Sequence, residues 1–249
     1  MARQLTSIAL LILGAGGLLA GPGALAQASA ADTTRLVAAN GLRQQYAHAL
    51  RDQYSLYSGP MYTSYVRPGT AGHRFFATTD EQLATIVYGG QTYAGVPARY
   101  DLVRDQLVLT AQSGTSELRL VSERVARFTL GGHTFVHLTG DSVAGSPLRP
   151  GFYDLLAAGP VAVLASRRKK YDELTENSRI IGEITERRTE YYLRQGGRYY
   201  GVSKAGDVLR LFPKQRAALR DYVQAHNLQF DEAGREAALV ALVRYQATL

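Results

Sequence analysis

Between residues 82 and 211 the chain is cut into short runs of β-forming residues, each closed by Gly, Pro or Asp. This punctuation limits the fold more than any other feature of the sequence. Runs at 84–88, 92–98, 106–111, 117–121, 125–130 and 134–138 follow one another at the 8–12-residue spacing of antiparallel strands joined by tight turns. Gly89-Gly90 and Gly131-Gly132 lie between runs, where a two-residue hairpin turn needs positive φ. The stretch Arg124-Val125-Ala126-Arg127-Phe128-Thr129-Leu130 shows alternation between the two faces of a strand. Residues 152–157 and 161–166 form another pair around Gly159-Pro160, and 186–194 and 199–203 a last pair around Gln195-Gly196-Gly197. Sixteen Tyr and seven Phe without Trp suit strands better than helices.

Helical periodicity is confined to the two ends. Over residues 32–54, Asp32 can cap a helix whose apolar stripe is Leu36, Ala39, Tyr46, Ala47 and Leu50, weakened in the middle by Asn40-Gly41. Near the C-terminus Pro213 suits a first helical position, and residues 215–226 run without a breaker to Asn227. Asp231 can cap a second helix with Ala238, Leu239, Leu242, Val243 and Tyr245 on its apolar face. The expected fold is α+β. An antiparallel β-rich core, a meander or roll, spans 59–211. It carries an N-terminal helical segment over 27–58 and a C-terminal helical hairpin over 212–249 packed on the core.

Residues 1–26 read as a cleavable signal peptide. Arg3 opens it, an apolar stretch from Ile8 to Ala20 follows, Pro22 and Gly23 end it, and Ala24-Leu25-Ala26 offers a cleavage site. The stretch is shorter than the ~20 apolar residues of a bilayer span and is interrupted by Gly14, Gly16 and Gly17. No transmembrane segment is expected after cleavage, and the location expected is the periplasm or the outer-membrane surface. The absence of Cys excludes a disulfide and a lipid-modified N-terminal cysteine, so packing alone must hold the fold in an oxidising compartment.

The formal charge is +7, from 28 Lys and Arg against 21 Asp and Glu. An exported basic protein can meet anionic glycans or lipid head groups; nucleic acid is not an expected partner. The run Arg167-Arg168-Lys169-Lys170-Tyr171, with Arg187, Tyr191, Arg198 and Tyr199 further on, supplies the basic-aromatic mixture that anion binders use. These residues, Arg167, Arg168, Lys169, Arg187, Tyr191, Arg198 and Tyr199, are the candidate ligand-binding set, for an anionic glycan or lipid or an envelope protein. The competing reading is a solvent-facing hairpin with Tyr on one face and Arg on the other.

Catalytic signals fail one by one. His133 and His137 would share a helix face, but they flank β-formers, and on a strand positions i and i+4 lie about 13 Å apart. One metal holds its nitrogen ligands at about 2.0–2.1 Å, so no shared metal fits. Gly140-Asp141-Ser142 lacks the Gly two residues after the Ser that a nucleophile elbow needs. Ser166 and Lys169 have Ser-x-x-Lys spacing, but no Ser-Asp-Asn or Lys-Thr-Gly partner occurs. No cofactor, metal or catalytic residue is expected.

Leu56-Tyr57-Ser58-Gly59-Pro60 with Tyr62, Val87-Tyr88-Gly89-Gly90 with Tyr93, Val96 and Tyr100-Asp101, Gly151-Phe152-Tyr153-Asp154-Leu155-Leu156, and the closing helix pair together resemble secreted proteins of the Bacteroidetes to which no activity is assigned. Met61 stands where that pattern has an acidic residue. The resemblance implies a Gram-negative cell envelope and carries no functional residue. The expected role is an exported, non-enzymatic binding or structural protein of the envelope. The alternative is an envelope hydrolase acting on a glycan or polymer through paired carboxylates, drawn from Asp101, Asp105, Glu117 and Asp154, which would need two of them about 5–9.5 Å apart.

Overall fold

A computed structural model describes residues 55–111, 114–176 and 179–249. The signal peptide and the helix expected over 32–54 lie outside the described residues. Among the described residues there are twelve strands: β1 Gln82–Tyr88, β2 Gln91–Asp101, β3 Gln106–Thr110, β4 Glu117–Arg119, β5 Val125–Leu130, β6 His133–Leu138, β7 Gly151–Ala157, β8 Val161–Ser166, β9 Lys169–Glu176, β10 Arg179–Glu186, β11 Glu190–Gln195 and β12 Arg198–Val202. Ten form one sheet in the order β12-β11-β8-β7-β6-β5-β1-β2-β3-β4, and β9 with β10 forms a separate two-stranded sheet. Every pairing between strands is antiparallel. The Gly pairs act as their positions require: Gly89 and Gly90 have φ of 57° and 84°, and Gly131 and Gly132 of 57° and 80°.

The sheet is two meanders joined by the β1–β5 pairing, and the joint forces it to curl. In strand order β4 lies four steps from β5, about 19 Å across a flat sheet. The connection between them includes a 3-10 turn, Ser122–Arg124, which shortens its reach. The curl encloses a core of Tyr88, Tyr100, Phe128, Phe135 and Phe152 with Ile86, Leu107, Leu109 and Leu130. Phe128 and Phe135 stack at 4.9 Å, and Tyr100 meets Phe135 edge-on at 4.9 Å and Phe152 at 5.8 Å. Edge-to-face packing of this kind adds to the burial of the rings.

The other end of the sheet is covered by helices α1 Ala205–Leu211, α2 Arg216–Ala225 and α3 Arg235–Gln246. Leu219, Leu239, Leu242 and Val243 pack on Val163, Ala165 and Leu193 of β8 and β11. Tyr222 and Tyr245 stack at 4.1 Å between α2 and α3. Asn227 ends α2 with φ of 46°, and Asp231 Oδ1 accepts the Gly234 N–H at 2.7 Å just before α3.

Two expectations are corrected. The C-terminal unit has three helices rather than a pair, because α1 falls inside the segment assigned to the β-rich core. Asp207 makes this helix: its carboxylate accepts the backbone N–H groups of Ser203 at 2.9 Å and Lys204 at 3.2 Å, satisfying donors that a helix start leaves open. The second correction is the β9–β10 hairpin, where the charged residues between 169 and 186 conceal a full eight-residue register from Lys169↔Glu186 to Glu176↔Arg179.

A charged junction and a candidate anion recess

Three consecutive cations leave the end of β8, and each takes a different acidic partner. Arg167 donates from Nε to Asp154 Oδ2 at 2.7 Å and from Nη2 to both oxygens of Glu236 at 2.9 Å. Arg168 Nη1 lies 2.8 Å from Asp105 Oδ2. Lys169 Nζ donates to the His73 carbonyl at 3.0 Å and sits 3.5 Å from Glu186. Asp154 comes from β7, Glu236 from α3, Asp105 from the β2–β3 turn and Glu186 from the end of β10. The junction therefore ties the sheet, the helical layer and the hairpin to one short segment.

Backbone geometry supports these pairs. Asp105 is held at φ 58°, a strained region for a non-glycine residue; there its side chain also accepts the Phe152 N–H at 3.2 Å and the Tyr100 hydroxyl. Burial first, and then the charge of Asp105, raise the Tyr100 hydroxyl well above its ordinary value, so it stays a donor. Gly151 passes beneath the Asp105–Arg168 pair with φ 144°, and a Cβ there would lie 2.7 Å from Arg168 Nη2. Buried charges are tolerated only when paired and hydrogen-bonded, and Asp154, 1% exposed, satisfies that rule through Arg167 and through His133 Nδ1 at 2.7 Å.

Beside the junction lies a recess of about 180 Å³ lined by Phe76, Ala77, Leu102, Arg167, Arg168, Glu186, Arg187 and Thr189, so one carboxylate shares it with three guanidinium groups. The structure thus brings together three of the seven sequence-predicted residues, Arg167, Arg168 and Arg187. Lys169 lies behind them, engaged by His73 and Glu186. No described carboxylate pairs with Arg187, which is exposed. Tyr191 sits on β11 and donates to Glu236 at 3.2 Å, lining a separate, wider hollow of about 520 Å³ against α3. Arg198 and Tyr199 belong to β12, two strands beyond β8, and do not join the recess.

The remaining candidates are occupied elsewhere. Asp101, fully buried, accepts the hydroxyls of Tyr62 at 2.5 Å and Tyr65 at 2.8 Å and the N–H groups of Val103 and Arg104 at 2.8 and 3.0 Å. Burial first and Asp101 second raise both tyrosine hydroxyls, so they too remain donors. Glu117 pairs with Arg99. Each of the four carboxylates considered for hydrolysis has its own cation or set of donors. His133 packs edge-on against Phe76 at 5.1 Å, and His137 lies against Phe152 at 4.8 Å. Among the described residues no group of His, Asp and Glu is arranged to hold a metal. Lys169 turns to His73 and Glu186 rather than to Ser166, and Ser142 lies in a helical turn, Gly140–Val143.

Sequence reasoning missed Thr189, Phe76 and Glu186 as lining residues, since none carries a local motif. Asp154 had a visible signal: a carboxylate set among the apolar residues of β7 demands a buried cation. No family model matches the chain, and neither a curated protein nor a solved structure matches it.

Proposed function

We propose that the chain is an exported, non-enzymatic binding protein of the cell envelope, acting in the periplasm or at the outer-membrane surface. Its recess receives an oxyanion borne by an envelope glycan or lipid. The observation that carries this reading is the convergence of Arg167, Arg168 and Arg187 on one small hollow, with Arg187 unpaired by any described carboxylate. Arg167 and Arg168 are held in place by their acidic partners, so two guanidinium planes are set before a ligand arrives, and such preorganisation lowers the entropy lost on binding. Arginine suits oxyanions because its fork matches their geometry. At about 180 Å³ the recess fits one anionic group rather than a drug-sized molecule. The export signal at residues 1–26 supports the envelope setting, and among the described residues no helix is long and apolar enough to cross a membrane.

Titration calorimetry with inorganic phosphate and with a uronic acid as separate probes tests the reading. Binding that Arg187→Ala abolishes, and that Glu186→Gln strengthens by removing the opposing carboxylate, is the expected result. Binding indifferent to Arg187, or no binding of either probe, overturns it. The two probes also separate a phosphorylated lipid or glycan from an acidic sugar. Turnover of an envelope polymer by the purified protein would instead restore the hydrolase.

A further inference from the structure

The two edges of the ten-stranded sheet end differently. At one edge the Tyr62 N–H donates to the Glu117 carbonyl at 2.8 Å and the Arg119 N–H to the Pro60 carbonyl at 2.9 Å, so the segment 60–62 closes β4. At the other edge β12 has no strand on its outer side, and among the described residues no backbone bond joins Tyr199 or Gly201 to a further segment. The register shows which groups are left over. Gly196 and Gly197 have φ of 55° and 78° and make a two-residue turn closed by the pair Gln195↔Arg198. Hydrogen-bonded pairs alternate along an antiparallel ladder, so Arg198, Tyr200 and Val202 bond to β11. Tyr199 and Gly201 turn their N–H and C=O groups outward. An edge strand with free backbone groups is a template for another strand.

A slot follows this open edge. Tyr199 lies on the face of the sheet shared with Tyr153, Leu164 and Tyr192. Its neighbour Tyr200 stands opposite Leu193, which packs under the helices on the other face. Both tyrosines line one hollow of about 320 Å³ together with Gly201, and a hollow reached from both faces runs along the edge of the strand. Pro147 walls it on the Tyr199 side, and Asp207, Arg210 and Leu211 of α1 wall it on the Tyr200 side. Asp207 and Arg210 are paired with each other, so backbone geometry rather than charge selects the occupant. Outward groups two residues apart repeat roughly every 6.8 Å along a strand. An extended peptide presents donors and acceptors at that same repeat; a head group, a sugar or a helix does not. Gly201 is exposed, and a Cβ there would meet only Tyr192 Cε1, at 3.9 Å, which leaves room for an arriving side chain.

We infer that the β12 edge receives an extended segment of another protein as a further strand of the sheet, with an apolar or aromatic side chain over Gly201. Main-chain bonds to Tyr199 and Gly201 supply the affinity, and the side chain that covers the edge glycine supplies specificity. The walls select against a second copy of this chain. Its own β12 edge is recessed between the same Pro147 and α1, and two recessed edges hold each other beyond the ~4.8 Å of paired strands. Tyr199, read from the sequence as a ligand-binding residue, thus belongs to a second site that does not depend on the anion recess.

Hydrogen exchange of the protein, purified as the cell exports it, tests this with and without a lysine-ended heptapeptide of threonine and valine carrying a central phenylalanine. Without peptide, the Tyr199 and Gly201 amides should exchange freely while those of Tyr200 and Val202 stay protected. Saturating peptide should protect the first pair. Gly201→Pro removes one outward donor and spares the ladder to β11, and it should weaken peptide binding about tenfold or more. Gly201→Ala keeps that donor and should bind as the parent does. The same peptide N-methylated throughout its core should not bind, which probes the edge without altering the protein. Arg187→Ala should leave peptide binding intact, which separates this result from failure of the anion site. Four outcomes would each overturn the inference: Tyr199 and Gly201 amides protected in the free protein, a peptide that binds without protecting them, no binding at millimolar peptide, or protection on concentrating the protein alone. The last would place a second copy on the edge.

Discussion

The two ends of the ten-stranded sheet bury their apolar side chains by different means. From β1 to β7 the sheet curls around its own aromatic rings, and Tyr100, Phe128, Phe135 and Phe152 meet from four strands. From β8 to β12 the sheet stays open and α1 to α3 cover it, so Leu193 meets Leu239 and Leu242 across two layers. A core made by curling depends on every ring, because each touches at least two of the others. A core made by a helical cover can lose its cover and leave the sheet beneath. The charged junction at Arg167-Arg168-Lys169 stands between them, with Asp105 and Asp154 on the curled side and Glu236 on the helical side.

This difference predicts a graded series. Phe135→Ala should have the largest effect, destabilising by about 3–5 kcal/mol, since the ring is 1% exposed and contacts Phe76, Tyr100 and Phe128. Denaturant titration checks the size, and a cost below that of an aliphatic truncation would break the account of the curled core. Asp154→Ala should cost about 3 kcal/mol, because it takes the Nε partner from a largely buried guanidinium that then keeps only Glu236; adding Arg167→Met should recover part of the loss. Leu239→Ala should cost about 2–4 kcal/mol, and hydrogen exchange should show protection lost first in α2 and α3 while β5 and β6 remain protected. Simultaneous loss at both ends would show that the two cores unfold as one.

A smaller effect concerns pH. Burial, followed for His73 by the charge of Lys169, lowers the pKa of His73 and His137 below the ordinary 6.5; for His137 the opposing pull of Asp105 and Glu123 does not cancel it. The unfolded chain then binds more protons than the folded one in the acid range. Their contribution is complete above about pH 6.5 and is lost as pH falls through the lowered values. Thermal melts between neutral and mildly acid pH should fall, and His137→Gln should flatten the slope. The smallest effect belongs to Arg187→Ala, which should leave stability within about 0.5 kcal/mol of the parent while removing oxyanion binding.

Much of the sheet was legible because alternation and Gly-Gly turns are local signals. Strands β1 to β8 fall where the runs at 84–88 through 161–166 were placed, and β11 and β12 overlap the last expected pair, whose first residue, Glu186, instead ends β10. The hairpin β9–β10 was not legible, since its apolar residues are few and charged neighbours mask them. Helix α1 was missed because its start depends on the Asp207 side chain reaching back to Ser203 and Lys204. Among the candidate ligand residues, proximity along the chain misled: Arg167, Arg168 and Lys169 are consecutive yet turn to Asp154, Asp105 and Glu186, each on a different element.

Taken alone, the amino-acid sequence determined the antiparallel β character, the turn positions and the amphipathic C-terminal stretches, because backbone propensity and side-chain period act over a few residues. Only the tertiary structure decided which charges are spent on one another and which face outward. Asp154 meets Arg167 across 13 residues and Glu236 meets it across 69. Such meetings depend on strand order and helix docking, which the packing of the whole chain sets.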